Sequence, residues 1–76
     1  MRKAKVTNCH ELSIRRAPWY PELDEEVVCT VKAGESVKVL ETDNLYYGWT
    51  GRAYYLVESP NGNNGYALKD CLEFED

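Results

Sequence analysis

The chain has 76 residues, of which 43% are hydrophobic and 12% aromatic, and its net charge is −4. A chain of this length forms one small domain that buries roughly 60 to 65% of its unfolded surface. The hydrophobic content and low net charge exclude a disordered chain, and the longest apolar run, residues 53–57, is too short to span a membrane.

The first predicted strand covers residues 5–9, where Val6 lies on one face and Lys5 and Thr7 on the other. Leu12 and Ile14 repeat this alternation in a second strand. Pro18 and Pro21 then bracket two aromatic residues, and prolines exclude a central strand. Residues 17–21 are therefore predicted to form a loop, and the acidic residues 22–26 a solvated continuation of it.

Residues 27–40 alternate in the manner of a β-hairpin, with a glycine-containing turn at 32–35. Residues 43–52 are predicted to be an irregular loop, and the Asn- and Gly-rich residues 59–65 a turn before the last long strand. Five to six short antiparallel strands without a long helix predict a small closed or partly closed barrel. Its predicted core consists of Val6, Leu12, Ile14, Val31, Val37, Val39, Val57, Ala67 and Leu72.

Several segments of this pattern resemble the bacterial SH3-like domain family. Residues 12–18 (LSIRRAP) match its opening "L-N-V-R-S-G-P" phrase, and residues 27–40 match its "G-T-L-x-x-G-x-x-V-x-V" hairpin. Residues 54–57 (YYLV) and 65–67 (GYA) occupy the places of its "W-Y-K-V" and "G-W-V" strands. The resemblance covers residues 5–74 and implies an all-β, small SH3-like barrel that acts as a binding module.

The resemblance also implies a ligand groove between the loop after the opening phrase and the two later strands. Carried over position by position, the predicted ligand-binding residues are Trp19, Tyr20, Tyr54 and Tyr66; Trp49 is added because exposed aromatic rings are common anchors for partners. The alternative is that these rings only pack against the barrel.

The predicted function is non-catalytic binding of an extended peptide or protein surface, as by a cytosolic adaptor or inhibitor that a phage or mobile element encodes. The alternative is binding of peptidoglycan peptides as a cell-wall domain of a bacterial hydrolase or surface protein. Nucleic acid is not an expected partner, because the sequence pI is near 4.9 and would repel phosphate. A membrane is not an expected partner either. We expect the domain to be a monomer.

Catalytic, metal and cofactor sites are not predicted. The single histidine, His10, adjoins Cys9, and neighbouring residues on a strand point to opposite faces. Cys9, Cys29 and Cys71 contain no C-x-x-C pair, so reduced thiols are expected. A Cys9–Cys71 disulfide is the alternative, because the first and last strands of this fold lie close together.

The predicted domain is residues 1–76, with a folded core at 5–74, a short basic N-terminal tail and a short acidic C-terminal tail. Residues 1–5 are basic, but no apolar run follows them as in an export signal. A complete chain is therefore expected in the cytoplasm, whereas a domain of a larger secreted protein would be extracellular or in the cell wall.

Overall fold

A computed structural model describes residues 2–16, 27–48 and 51–75. These described residues form eight strands and one short 3-10 turn, Lys69–Cys71. All the paired strands are antiparallel, which confirms the all-β prediction. The strands are β1 (Arg2–Val6), β2 (Glu11–Arg15), β3 (Val27–Lys32), β4 (Ser36–Val39), β5 (Tyr46–Tyr47), β6 (Ala53–Glu58), β7 (Asn64–Leu68) and β8 (Leu72–Phe74).

The strands belong to one sheet in the order β3-β2-β7-β6-β4-β1-β8, with β5 paired to β6. The sheet curls because the turn between β3 and β4 returns to β1: the Val6 amide donates to Glu35 O at 2.8 Å, and the Gly34 amide donates to Val6 O at 2.9 Å. One face of the curled sheet therefore encloses the core, and the other face is free to form a site.

Alternation along the strands places the predicted core as expected. Val6, Ile14, Val31, Val37, Val39 and Val57 are all fully buried, and Leu12 and Ala67 belong to the same cluster. Ala4, Tyr55 and Cys71 complete it. Leu72 differs from the prediction: it is only partly buried and packs at the margin of the cluster, in the short edge strand β8.

The first strand begins and ends earlier than predicted. β1 is Arg2–Val6, so the basic residues at the start of the chain lie in a strand. The chain leaves the extended conformation at Asn8, whose φ is +23°. The Asn8 side chain donates to Asp70 O at 3.1 Å, and the Thr7 amide donates to Cys71 O at 2.9 Å. These bonds hold the β1–β2 connection against the 3-10 turn.

The predicted hairpin at residues 27–40 is confirmed as β3 and β4. Its turn contains Gly34 at φ +90°, a conformation that side chains disfavour. The described residues contain more strands than the five to six predicted, because β5 and β8 are only two and three residues long. β5 lies inside the predicted loop at 43–52, and pairing with β6 makes it a strand.

Strand β7 packs unusually close to β2 at Gly65. A Cβ atom at this position would lie 2.6 Å from Ile14 Cγ2 and 2.7 Å from the carbonyl oxygen of Arg15. Arg15 is also paired directly with Tyr66. The absence of a side chain at residue 65 thus allows β2 and β7 to meet, and the residues that follow Gly65 are positioned beside β2.

Candidate functional site

The outer face of β5, β6 and β7 carries a row of large side chains. Tyr54 on β6 is directly opposite Tyr46 on β5 and Leu68 on β7. Directly opposite residues in antiparallel strands point to the same side of the sheet. Tyr54 is 4% exposed, yet it is not part of the core cluster. Its burial is therefore due to neighbours on the outer face.

A second row lies beside the first. Leu56, two residues after Tyr54, is opposite Tyr66, and Tyr66 is in turn opposite Arg15 on β2. The register brings two predicted site residues, Tyr54 and Tyr66, to the same face of adjacent strands. Alternation in β6 and β7 then leaves Val57 and Ala67 to face the core.

Tyr46 joins the two rows. Its ring meets the Tyr66 ring edge-on, with centroids 4.9 Å apart, and since β5 and β7 flank β6 the rings meet above β6. The Tyr46 hydroxyl donates to the Glu41 carboxylate at 3.0 Å and accepts from Asn44 Nδ2 at 3.2 Å. The hydrogen bond to Glu41 raises the pKa of Tyr46, so the phenol stays neutral and its ring is held in place.

A groove of about 240 Å³ opens beside Tyr54, and we call it the outer groove. Tyr54, Leu12 and Leu68 form its apolar part. Its charged lining consists of Arg15, Arg52 and Glu11. With two guanidinium groups and one carboxylate, the groove lining has a positive net charge, whereas the whole chain has a net charge of −4.

Two thiols line the same groove, those of Cys9 and Cys71. Cys71 is 9% exposed and Cys9 is half-buried, and both are free. Burial raises the pKa of Cys71 to about 11, and the neighbouring Cys9 side chain adds to this shift. The Cys71 thiol is therefore protonated at neutral pH and behaves as a small apolar group.

A second concavity, of about 290 Å³, is lined by Lys5, Glu73, Phe74 and Glu75 at the β1–β8 edge. The Phe74 ring there already contacts the Arg2 guanidinium, 3.9 Å from the ring centroid, and the Tyr55 ring. Its remaining lining is charged, so it offers little apolar surface to a ligand. The outer groove is the better candidate.

The predicted site residues divide into two groups. The structure brings Tyr54 and Tyr66 together on the outer face: Tyr54 lines the groove, and Tyr66 is paired with Arg15, which also lines it. Trp19, Tyr20 and Trp49 lie outside the described residues, and their role stays a prediction. Tyr47, in contrast, is 62% exposed and faces away from Tyr46.

Sequence reasoning did not select Tyr46, Leu68, Arg15 or Arg52. Tyr46 and Leu68 are on the face of Tyr54 only because of the β5–β6 and β6–β7 registers. The second register could have been derived from the turn at 59–65, with Leu68 then opposite Tyr54. Nothing in the predicted irregular loop indicated the two-residue strand β5.

Other kinds of site are not seen in the part of the chain that the structure describes. It contains no group of three or more His, Cys, Asp and Glu side chains that could hold a metal ion. Residues 2–16, 27–48 and 51–75 also include no helix long and apolar enough to cross a membrane. His10 is exposed at the β1–β2 connection.

Comparison with known proteins places the fold. The model of the bacterial SH3 domain family matches residues 11–73, from the first residue of β2 into β8. No curated protein and no solved structure gives a significant match to the chain. The matched family is one of binding modules that are not themselves catalytic, and the match extends over most of the 76 residues. The chain therefore belongs to the bacterial SH3 domain family.

Proposed function

We propose that this domain binds an extended peptide segment of a partner in the outer groove. The observation that carries the proposal is the outer-face register, which gathers Tyr54, Tyr66, Tyr46 and Leu68 beside an open groove. Aromatic rings give a large contact area for little loss of side-chain entropy. Here the edge contact with Tyr46 also fixes the orientation of Tyr66 before a ligand arrives.

The size of the groove favours a peptide over a small molecule. Its volume of about 240 Å³ is below the roughly 300 to 1,000 Å³ that is common for small-molecule pockets. A single side chain of an extended ligand fits such a space, while neighbouring ligand residues lie along the aromatic face. Affinity then depends on a few anchoring contacts.

The charges of the groove indicate the chemistry of the ligand. Arg15 and Arg52 both line it, and guanidinium groups bind carboxylates with directional hydrogen bonds. We therefore expect ligands that combine one apolar or aromatic side chain with a nearby acidic group. Arg52→Gln should weaken binding of such a ligand and reduce the dependence of affinity on salt concentration.

Peptides selected from a random display library against the folded domain would test the proposal. For the tightest peptide, Tyr66→Ala should raise the Kd at least roughly tenfold, as expected for loss of an anchoring ring. Tyr47→Ala is the matched control, because it removes the same type of ring from β5. The Tyr47 side chain is exposed and faces away from Tyr46. Its Kd should stay within about twofold of the original.

The same assay distinguishes binding of a partner protein from the alternative, binding of peptidoglycan peptides. Peptidoglycan stem peptides also carry carboxylates, so soluble wall fragments form a second arm beside the selected peptides. Binding of wall fragments that Tyr66→Ala weakens would identify a wall ligand. Trp19→Ala, Tyr20→Ala and Trp49→Ala test whether those rings extend the site. If Tyr66→Ala and Arg52→Gln both leave every Kd unchanged in folded protein, the outer groove is not the binding site.

A further inference from the structure

Two of the three cysteines, Cys9 and Cys71, are brought together by contacts between the β1–β2 connection and the 3-10 turn. The Thr7 amide donates to Cys71 O at 2.9 Å, and the Asn8 side chain donates to Asp70 O at 3.1 Å. These bonds fix the residues immediately before Cys9 against the turn that contains Cys71. Both thiols are free, and both line the outer groove.

The third cysteine lies elsewhere. Cys29 is on β3, paired with Ile14 of β2, and it is not part of the groove lining. It is half-buried like Cys9, so the two have comparable access to solvent. Cys29 therefore serves as an internal control for chemistry that depends on the neighbouring thiols.

We propose that Cys9 and Cys71 are a redox-active pair that a low-molecular-weight disulfide, such as oxidised glutathione, converts to an intramolecular disulfide. The Cys9 thiolate attacks the reagent and forms a mixed disulfide, releasing one thiolate of the reagent. The Cys71 sulfur then attacks Cys9 Sγ and expels the second. The two protons of the protein thiols end on the two released thiolates, so the protein is oxidised by two electrons and the reagent is reduced by two.

The order of the two steps follows from access to solvent. Cys9 is half-buried and open to the reagent, whereas Cys71 is 9% exposed and belongs to the core cluster. Cys71 reacts second because the mixed disulfide places an electrophilic sulfur beside it. Its raised pKa makes it a poor first nucleophile at neutral pH.

The bond would close a loop of roughly 60 residues, and long loops give the largest loss of unfolded-state entropy. A typical gain for such a link corresponds to a rise in Tm of roughly 8 to 30 °C in a domain of this size. The cross-link would also fix the β1–β2 connection to the 3-10 turn, on one wall of the outer groove.

The test treats the full chain with oxidised glutathione and follows intact mass, peptide maps and Tm. Oxidation of the pair should give a cross-linked Cys9–Cys71 peptide about 2 Da lighter than its two reduced parts, and a higher Tm that dithiothreitol reverses. Cys29→Ser should form the same cross-link, without a glutathione adduct at residue 29. Cys71→Ala should stop at the mixed disulfide on Cys9, while Cys9→Ser should leave Cys71 unmodified.

Three results would overturn the proposal. One is a disulfide that contains Cys29, and another is glutathione adducts alone after prolonged treatment of protein with all three cysteines. The third is a cross-linked Cys9–Cys71 product whose Tm is lower than that of the reduced protein, since this would show that the native geometry does not accommodate the bond.

Discussion

At the scale of single residues, Gly65 controls how closely two strands approach. The nearest atoms to its missing side chain are Ile14 Cγ2, in the core, and the backbone oxygen of Arg15. A backbone atom and a fully buried isoleucine cannot yield as a flexible surface side chain can. Both the core and the pairing of Arg15 with Tyr66 therefore depend on this one residue.

Gly65→Ala should lower the free energy of unfolding by roughly 1 to 3 kcal/mol, the range for overpacking a close-packed site. The neighbouring Asn64→Ala is the control, because Asn64 is exposed and should change the value by less than about 0.5 kcal/mol. Urea unfolding of both variants measures the difference. Equal midpoints for the two variants would show that β2 and β7 are not in close contact.

The Cys71 thiol gives the domain a predictable pH dependence. Its pKa is raised from 9.0 to about 11 in the folded state, so the folded protein holds the thiol proton more tightly than the unfolded chain does. The stabilisation is fully present below about pH 9 and is lost as the pH rises towards about 11. Under reducing conditions, Tm should therefore fall across this interval.

Cys71→Ser isolates that contribution, because a serine hydroxyl does not titrate in this range. The difference in Tm between the unchanged protein and Cys71→Ser should shrink between pH 9 and 11. Tyr46, whose pKa is raised by its hydrogen bond to Glu41, is present in both proteins and its effect cancels. A constant difference across the interval would mean that the folded state does not perturb the thiol.

At the scale of strands, alternation was sufficient to predict most of the core. Val37 and Val39 on β4 and Leu12 and Ile14 on β2 are buried because each pair has the period of two that one face of a strand requires. The start of β1 was not predictable from alternation. The chain leaves that strand because Asn8 adopts a positive φ and bonds to a turn more than sixty residues away.

Short strands without a pattern of their own were also missed. β5 has two residues, and its existence depends on pairing with Ala53 and Tyr54 of β6. That pairing is what turns Tyr46 towards the outer face and Tyr47 away from it. Family resemblance therefore indicated Tyr54 and Tyr66 as site residues, but nothing in the sequence indicated Tyr46, whose ring contacts that of Tyr66.

Val39→Ala tests the importance of β4, which pairs with both β1 and β6. Val39 is fully buried, so removing two methyl groups should cost roughly 2 to 3 kcal/mol of unfolding free energy. Val28→Ala is the matched control, since Val28 is 39% exposed on β3 and should cost less than about 0.5 kcal/mol. Similar losses for the two variants would contradict the burial pattern.

At the scale of the whole molecule, the two faces of the curled sheet differ: one packs the core, and the other carries the outer groove. The inner face supplies the stability of a small domain, and the outer face of β2, β5, β6 and β7 carries rings that the core does not use. The chain is acidic, yet the outer groove contains two arginines and one glutamate. Such a local reversal of charge is typical of a surface suited to a partner of opposite sign.

The most direct measurement is an NMR titration of the ¹⁵N-labelled domain with its tightest selected peptide. If the ligand binds in the outer groove, amide shifts should change most at Arg15, Tyr54, Tyr66 and Leu68. The amide shifts of residues at the β1–β8 concavity, such as Lys5 and Glu73, should not change. Shifts centred on Lys5 and Glu73, with the outer-face tyrosines unaffected, would show that the ligand does not bind in the outer groove.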